Sequence, residues 1–194
     1  MKNQERCAWV NDNPLMIEYH DKEWGVPVHD DKKLFEFLIL EGAQAGLTWQ
    51  IVLNKRENYR KALSKFDPSK IARYKNKDMK LLLNNPGIIR NRLKIAATIV
   101  NAKKFLEIQK EFGSFDAYIW QFVGNKPLRN KFESIKEIPA KTKESDAMSK
   151  ALLKRGFKFV GSTICYAFMQ AVGMVNDHTI DCFRYGVITF LHQK

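Results

Sequence analysis

Residues 40–49 read Leu40-Glu41-Gly42-Ala43-Gln44-Ala45-Gly46-Leu47-Thr48-Trp49, and the prediction of the fold starts from this stretch. The apolar runs before and after it have helical spacing, so we expect two helices that meet at a tight corner. Glycine tolerates the backbone angles that such a corner requires. A carboxylate at its inner edge, Glu41, opposite the indole of Trp49 suits a planar cationic ligand. The same pattern also fits a solvated helix-end glutamate and an ordinary core tryptophan.

The composition describes a globular protein with a basic surface. Of 194 residues, 45% are hydrophobic and 28% are charged, which suits one domain or two small lobes with a substantial core. Lys and Arg outnumber Asp and Glu by 33 to 21, a formal net charge of +12. We interpret this excess as spread from end to end. Such a surface attracts polyanions, and nucleic acid is the commonest of them, although a merely basic protein shares the property.

No segment predicts secretion or a membrane anchor. Residues 1–5 are polar and lack the apolar core of a signal peptide, and no apolar run approaches the roughly 18 residues of a membrane helix. Three cysteines, an odd number, argue against a disulfide framework and favour thiols or metal ligands. We therefore expect a cytoplasmic protein with no membrane partner, and the sequence implies a monomer without a protein partner.

Helical patterns dominate from residue 30 onward. Periodicity and capping residues predict helices over 31–40, 48–66, 68–74, 78–84, 88–112, 115–123, 145–155, 161–172 and from 176 onward. Residues 1–30 are expected to be irregular and to wrap against the rest, and 124–143 to form an irregular surface connection. No stretch forms a convincing strand. The predicted class is all-α, with a single domain over 1–194.

Two pairs of potential metal ligands lie at opposite ends of the chain. The four residues are Cys7, His20, His178 and Cys182. The spacing His-x-x-x-Cys puts the second pair one helical turn apart, and two thiolates with two imidazoles suit a tetrahedral structural zinc. Buried unpaired cysteines and surface histidines would give the same pattern. Cys165 lies in an apolar helix and is expected in the core, whereas His29 and His192 have no identifiable partner.

A second motif reads Lys154-Arg155-Gly156-Phe157-Lys158-Phe159-Val160-Gly161-Ser162-Thr163. Helix, glycine-bounded hairpin and second helix, with basic residues before and within, predict a helix-hairpin-helix element. Exposed amides at a helix start bind phosphate, and glycines let the backbone come close. The candidate DNA contacts here are Gly156, Lys158, Gly161, Ser162 and Thr163. A plain helix–helix turn with a glycine stop is the alternative.

Over nearly its whole length the sequence resembles the DNA-3-methyladenine glycosylase I family of helix-hairpin-helix base-excision enzymes. The motifs that carry the resemblance are Arg6-Cys7-Ala8-Trp9, Tyr19-His20-Asp21, Glu23-Trp24-Gly25-Val26-Pro27, residues 40–49, residues 155–161 and Val175-Asn176-Asp177-His178. The resemblance implies two helical lobes with a base pocket between them. It also implies a structural zinc at the quartet, which joins the N- and C-terminal segments.

The resemblance further implies the roles of the site residues. Glu41 and Tyr19 hydrogen-bond the base and act in catalysis, Trp49 stacks on the base, and Trp9 and Trp24 help to wall the pocket. Leu47 is similar to the residue that fills the gap left in the duplex. Met16 stands where the family favours an aromatic residue, which leaves the pocket shape open.

The expected reaction is removal of 3-methyladenine from alkylated double-stranded DNA. The enzyme would flip the nucleotide and hydrolyse its N-glycosidic bond, leaving an abasic site without a lyase step. Methylation at N3 makes the base cationic and a good leaving group, and Glu41 would be ionised near its reference pKa of about 4.3. Many helix-hairpin-helix glycosylases place an aspartate where this chain has Asn176, which suits an enzyme for a readily leaving base. Asp177 either assists at the sugar or caps the last helix.

Three other interpretations remain at this stage. A non-catalytic lesion- or DNA-binding module with a structural zinc would keep the hairpin without the chemistry. A zinc hydrolase would use the quartet, although four protein ligands leave no position for water. A basic interaction protein would have no base pocket at all.

Overall fold

The computed structural model describes residues 4–191, so the first three residues and His192 lie outside it. The helices are α1 Pro14–Lys22, α2 Asp31–Gln44, α3 Trp49–Ala62, α4 Pro68–Ile71, α5 Asn76–Asn84, α6 Arg92–Phe112, α7 Phe115–Ile119, α8 Lys143–Lys154, α9 Ser162–Ala171 and α10 Phe183–Leu191. Short 3-10 helices cover Ser64–Phe66, Trp120–Val123 and Ile135–Glu137. The helical class is confirmed, and none of the helices between residues 4 and 191 is long and apolar enough to cross a membrane.

Helix α2 forms the centre of the fold. The Asp30 carboxylate caps it by accepting from the Lys33 amide at 2.8 Å, which satisfies one of the amides that a helix start leaves open. Ten of its 14 residues are buried, because α3, α6, α7 and α9 pack around it. A helix that is covered on all sides fixes its side chains, including Glu41, more firmly than a surface helix would.

Two parts of the predicted secondary structure are wrong at the N- and C-terminal ends. The first thirty residues are not irregular throughout: Asn13 caps α1 and Pro14 occupies its first position, where the missing N–H costs nothing. Two short parallel strands also exist, β1 Leu128–Arg129 and β2 Val175–Asn176. Because the backbone of Asn176 is in β2, the last helix starts at Phe183 rather than near Asn176.

The long helix α6 also begins later than predicted, at Arg92 instead of residue 88, after the Asn91 side chain caps the amides of Leu93 and Lys94. Leu93, in the first turn of this helix, is 70% exposed although it is apolar. The buried positions of the helix begin two residues further on, at Ile95. Residues 124–143 are irregular as expected, apart from β1 and one 3-10 turn.

Candidate active site and metal cluster

The corner between α2 and α3 forms as the sequence predicts. Gly46 has φ +75°, a conformation that costs a residue with a Cβ more than glycine. The Lys94 ammonium of α6 donates to the carbonyl oxygens of Ala43 at 2.8 Å and Ala45 at 2.6 Å. It thereby satisfies carbonyls that the end of α2 leaves open. The next residue, Leu47, is 39% exposed on the loop and is not a core leucine.

Glu41 lies on the last turns of α2 and is 3% exposed. Its carboxyl group has no hydrogen-bond partner among residues 4–191, in contrast to the buried Glu36, which pairs with Arg56 and Arg60. Burial raises the pKa of Glu41 to about 8, because the charged form loses its hydration. The expectation that Glu41 is ionised near its reference pKa is therefore wrong for the empty pocket: at neutral pH the group is mainly protonated.

Aromatic rings surround this carboxyl group. The rings of Tyr19 and Trp49 lie 5.2 Å apart, and Trp9 lies 6.3 Å from Tyr19 and 5.1 Å from Trp24. Burial, and then the neighbouring Glu41 carboxylate, raises the pKa of Tyr19 well above its ordinary value, so its hydroxyl keeps the proton. All five residues that the sequence assigned to the base pocket line one cavity.

That cavity has a volume of about 550 Å³, within the range of small-molecule sites. Its lining comprises Trp9, Asn11, Met16, Tyr19, Trp24, Glu41, Gln44, Thr48, Trp49, Gln50, Ile135, Ile138, Ala167 and Gln170. Met16 therefore lines the cavity, so the replacement of the aromatic residue that the family favours by methionine changes the wall of the site. Sequence reasoning missed Gln170, because α9 has the pattern of a core helix, and missed Ile135 and Ile138, because their segment has no periodicity.

Two donors in the pocket have no acceptor. The indole N–H groups of Trp9 and Trp49 are buried without a hydrogen-bond partner in the part of the chain that the structure describes. A buried donor left unpaired destabilises a protein by roughly 1–3 kcal/mol, and native structures contain few of them. Both residues line the cavity, so the two unsatisfied donors lie beside it.

The four potential metal ligands come together in a buried cluster. The Cys182 Sγ atom lies 3.4 Å from His20 Nε2 and 3.5 Å from His178 Nδ1, and Cys7 Sγ lies 3.5 Å from the same His178 nitrogen. All four ligand atoms lie within 4.8 Å of one another. Tetrahedral zinc ligands at their usual bond lengths are about 3.3–3.8 Å apart, so the donor set fits such an ion with little adjustment.

Hydrogen bonds outside the cluster fix the two imidazole rings. His20 Nδ1 lies 2.7 Å from the Asp21 carboxylate, which Arg6 also holds at 2.7 Å. His178 Nε2 donates to the Trp24 carbonyl oxygen at 3.1 Å. Each ring therefore donates outward, and the lone pair of its other nitrogen is directed at the cysteines, which is the arrangement that metal-binding histidines need.

The Cys/His cluster and the pocket share a wall. The Trp9 ring packs edge-on against His20 at 5.4 Å, and the Trp24 ring against His178 at 4.6 Å. Between them Gly25, at φ +79°, brings the chain so close to His178 that a Cβ would lie 3.1 Å from its Nε2. The interactions that fix His20 and His178 therefore also fix the Trp9 and Trp24 rings, which form two walls of the cavity.

Comparison with known proteins agrees with this geometry. A model of the family described as methyladenine glycosylase matches residues 9–185. The chain belongs to the methyladenine glycosylase family. The DNA-3-methyladenine glycosylase 1 of Escherichia coli is 53% identical over 181 residues, which cover 93% of this chain and 97% of that protein. The DNA-3-methyladenine glycosylase of Haemophilus influenzae is 50% identical over 177 residues, 91% and 96% of the two chains. By this relationship the chain is an enzyme, a hydrolase of N-glycosyl bonds.

Solved structures match the glycosylase along most of its length. A crystal structure of a 3-methyladenine DNA glycosylase I has a TM-score of 0.91 and 54% identity, over 92% of this chain and 98% of the other. The Staphylococcus aureus enzyme has a TM-score of 0.89 and 34% identity, over 92% and 95% of the two chains. The latter structure is described as the basis of 3-methyladenine recognition by that protein.

The segment after α8 has the predicted helix, hairpin and helix order. Gly156 turns the chain at φ +92°. The Asn101 side chain of α6 makes two hydrogen bonds to the backbone of Lys158 in the hairpin. Its Nδ2 donates to the Lys158 carbonyl oxygen at 2.9 Å, and its Oδ1 accepts from the Lys158 backbone N–H at 2.8 Å. The Lys158 side chain is exposed. The hairpin is thus held by its backbone while its cation faces solvent.

Helix α9 starts directly after this hairpin. Gly161 is its N-cap and supplies no side-chain cap, so the amides of the first turn, at Ser162 and Thr163, lack a side-chain partner. The Ser162 hydroxyl lies beside the Asp146 carboxylate and lowers the pKa of that group. The backbone amides, rather than this hydroxyl, are the groups left for an anion.

The positive charge of the glycosylase is not spread from end to end, contrary to the prediction. Residues 54–94 contain thirteen Lys and Arg against three Asp and Glu, an excess of ten out of the chain's total of twelve. The last three of these cations are Arg90, Arg92 and Lys94. Lys94 bonds the corner that carries Leu47, so the basic segment reaches the same side of the molecule as that loop.

Three residues of uncertain role have defined partners. Asp177 does not cap α10: it is 1% exposed and accepts hydrogen bonds from Asn130, Tyr166 and Gln170. The buried Asn176 amide donates to the Tyr185 carbonyl and the Thr189 hydroxyl. His29, expected to lack a partner, lies 2.8 Å from Asp116 and stacks on Trp120. Cys165 is in the core, as predicted.

Proposed function

We propose that the glycosylase removes 3-methyladenine from alkylated duplex DNA by hydrolysing its N-glycosidic bond, and that it leaves an abasic site without a lyase step. The observation that carries this proposal is the cavity in which a buried carboxyl group without a hydrogen bond faces aromatic rings. An alkylated purine supplies what this cavity lacks: a positive charge, a flat ring and hydrogen-bond acceptors.

Glu41 selects the cationic base through a change in its own ionisation. A positive charge placed against the carboxyl group favours the carboxylate and so lowers the pKa that burial has raised to about 8. The charged base therefore ionises Glu41 as it binds, with release of a proton to solvent. Neutral adenine offers no such gain, so it binds less well. Tyr19 hydrogen-bonds the base edge, Trp49 stacks on the ring, and Trp9 and Trp24 complete the walls.

The chemistry at the sugar needs little help because the methylated base leaves readily. Glu41 is the only carboxyl group among the described residues that line the cavity. Asn176 and Asp177 are engaged in hydrogen bonds inside the fold, so neither provides a second carboxylate for the sugar. Glu41 holds the base so that water attacks the anomeric carbon as the glycosidic C–N bond breaks. The electron pair of that bond neutralises the cationic base, so no protein group has to protonate it, and the proton of the attacking water passes to solvent.

DNA docks on the side of the molecule that carries Leu47 and the hairpin. The helix-hairpin-helix element of α8 and α9 binds phosphates with Lys158 and the amides around Gly161, Ser162 and Thr163, while Gly156 lets the backbone approach. The exposed Leu47 fills the gap that the flipped nucleotide leaves in the duplex. The cations of residues 54–94 add long-range attraction.

Zinc is the ion that the quartet of Cys7, His20, His178 and Cys182 holds in this proposal. Both thiols and both imidazoles are buried, and no water position remains in a four-ligand site. The ion crosslinks the N-terminal segment to the residues before α10 and supplies no reactive group. The whole chain then works as one monomeric glycosylase domain of two lobes, with the pocket between them, and acts on DNA in the cytoplasm.

The decisive experiment is chromatography of the bases released from methylated duplex DNA. We expect the wild type to release free 3-methyladenine, and Trp49→Ala and Glu41→Gln to release it far more slowly. Lesion binding without any released base would instead favour a non-catalytic DNA-binding module. Wild-type rates in both variants would remove Glu41 and Trp49 from the site.

A further inference from the structure

Gln170 lies where α9 faces the cavity. Ala167, one helical turn earlier on the same face, also lines the pocket. The Gln170 amide nitrogen donates to Asp177 Oδ2 at 2.7 Å. Its carbonyl oxygen, at the other end of the same planar group, has no hydrogen-bond partner in residues 4–191. One end of the amide is thus anchored and the other is available to a ligand.

The surroundings of Asp177 decide which end of the amide is anchored. Besides Gln170, its carboxylate accepts from the Tyr166 hydroxyl at 2.6 Å and from the Asn130 amide at 2.7 Å. Burial, together with the Asp177 carboxylate, keeps the pKa of Tyr166 above its ordinary value, so this hydroxyl stays a donor. A carboxylate offers only acceptors. The Gln170 group that faces it must therefore be the NH₂, and the carbonyl is directed away from Asp177.

We propose that Gln170 is a specificity-determining residue of the base pocket, which presents its carbonyl oxygen to an exocyclic amino group of the bound base, with Asp177 as the positioning residue that prevents the amide from turning. This inference rests on the proposed function and names a determinant within it. Adenine carries an amino donor at position 6, where guanine and hypoxanthine carry a carbonyl acceptor. A carbonyl oxygen fixed in the pocket wall therefore attracts the amino group of adenine and repels the carbonyl oxygen of guanine or hypoxanthine.

The other polar groups described in the pocket do not select an amino group over an oxo group on the base. The Trp9 and Trp49 indoles offer only N–H donors, which suit an oxo acceptor better than an amino donor and so do not select the amino base. The Tyr19 hydroxyl rotates to donate or accept, and the Glu41 carboxyl group does both when protonated. Only an acceptor that cannot turn rejects an oxo group, and in a buried site such a mismatch leaves two acceptors facing each other.

The test is a titration of two free bases, 3-methyladenine and 3-methylhypoxanthine, followed by the indole fluorescence of the pocket. We expect the wild type to bind 3-methyladenine at least about tenfold more tightly. Gln170→Met keeps the length of the side chain but removes the carbonyl, and should bring the two affinities within about twofold. Asp177→Asn can donate to Gln170 and so allow its amide to turn, and should also reduce the preference.

Gln44→Met is the matched control, because Gln44 lines the same cavity and has no partner that fixes its amide among the described residues. Its ratio of affinities should stay at the wild-type value. An unchanged ratio in Gln170→Met, an equal loss in Gln44→Met, or no preference in the wild type would each overturn the inference. Base release from methylated DNA by the wild type tests the proposed function separately, because it does not depend on the affinity ratio.

Discussion

Two buried polar clusters lie side by side in this glycosylase, and they differ in how their polar atoms are satisfied. In the quartet, each histidine donates its outer N–H to a protein acceptor, Asp21 or the Trp24 carbonyl, and directs its other nitrogen at the cysteines. In the pocket, the Glu41 carboxyl group and two indole N–H groups have no partner in the described chain. Burial is similar in both, so burial alone does not separate structure from function.

The difference follows from what each cluster is for. A structural site gains stability by satisfying every group, because an ion or a hydrogen bond offsets the lost hydration. A binding site is less stable when empty, since its unpaired groups recover their interactions only when the ligand arrives. Substitutions should therefore have opposite effects on stability in the two clusters.

Cys7→Ser should remove the bound zinc and lower the free energy of unfolding by several kcal/mol, because structural zinc sites contribute on the order of 10 kcal/mol of apparent free energy. Atomic absorption should find one zinc per wild-type chain and none in the variant, and chemical unfolding should give the loss of stability. Cys165→Ala is the control: its thiol is buried in α9, away from the quartet, so the metal should stay. A chelated wild type with unchanged stability would show that the quartet is only a set of buried thiols and imidazoles.

Glu41→Gln should slow excision about a hundredfold, as loss of a preorganised electrostatic contact does elsewhere, yet stabilise the empty protein above neutral pH. The folded pKa of about 8 exceeds the ordinary glutamate pKa of 4.5, so the folded state binds the extra proton between these values. Wild-type stability therefore falls as pH rises through that window. The variant, which does not titrate there, should be more stable by a few kcal/mol at pH 9.

Glu36→Gln is the matched control for that measurement. Glu36 is nearly as buried, but it holds Arg56 at 2.6 Å and Arg60 at 2.7 Å. Removal of its charge leaves the buried Arg56 guanidinium with only one of its two carboxylate partners, Glu23, and should destabilise the fold at pH 9 as it does at neutral pH. If both glutamine variants lost stability at pH 9, the contrast between the partnered and the unpartnered carboxylate would be wrong.

The pH dependence of kcat/KM should report the same group, because this ratio follows the ionisation of free enzyme. Only ionised Glu41 attracts the cationic base, so kcat/KM on duplex DNA that contains 3-methyladenine should rise about tenfold from pH 6 to pH 7 and level off above pH 8. Initial-rate measurements at constant ionic strength would show the rise. In Glu41→Gln the profile should be flat, and a wild-type plateau that already begins at pH 5 would exclude a raised pKa.

The sequence predicts the corner at residues 40–49 from local spacing, and the cluster of four potential metal ligands from residue types of narrow use together with the family resemblance. Other parts depend on contacts between distant residues. Asn13-Pro14 has the pattern of a turn but starts α1, and Val175–Asn176 leaves the helical pattern because it pairs with Leu128–Arg129. The pKa of Glu41 and the anchoring of Gln170 likewise depend on which elements cover them, and spacing along the chain carries no information on that.

The contrast between satisfied and unsatisfied buried groups also applies to the indole N–H groups of two tryptophans. Trp49 has a buried indole N–H without an acceptor in the described residues, whereas the Trp120 indole donates to the Val28 carbonyl at 3.1 Å. Trp49→Phe keeps a ring to stack on the base and against Tyr19 but loses the donor, so excision should fall severalfold with little change in melting temperature. Trp120→Phe leaves a buried carbonyl unpaired and should cost about 1 kcal/mol of stability with normal excision. Thermal melts and single-turnover excision on the two variants separate these outcomes. Equal excision by Trp49→Phe and the wild type would mean that this indole contributes its flat face alone, and that an unpartnered donor in the pocket does not by itself mark a ligand contact.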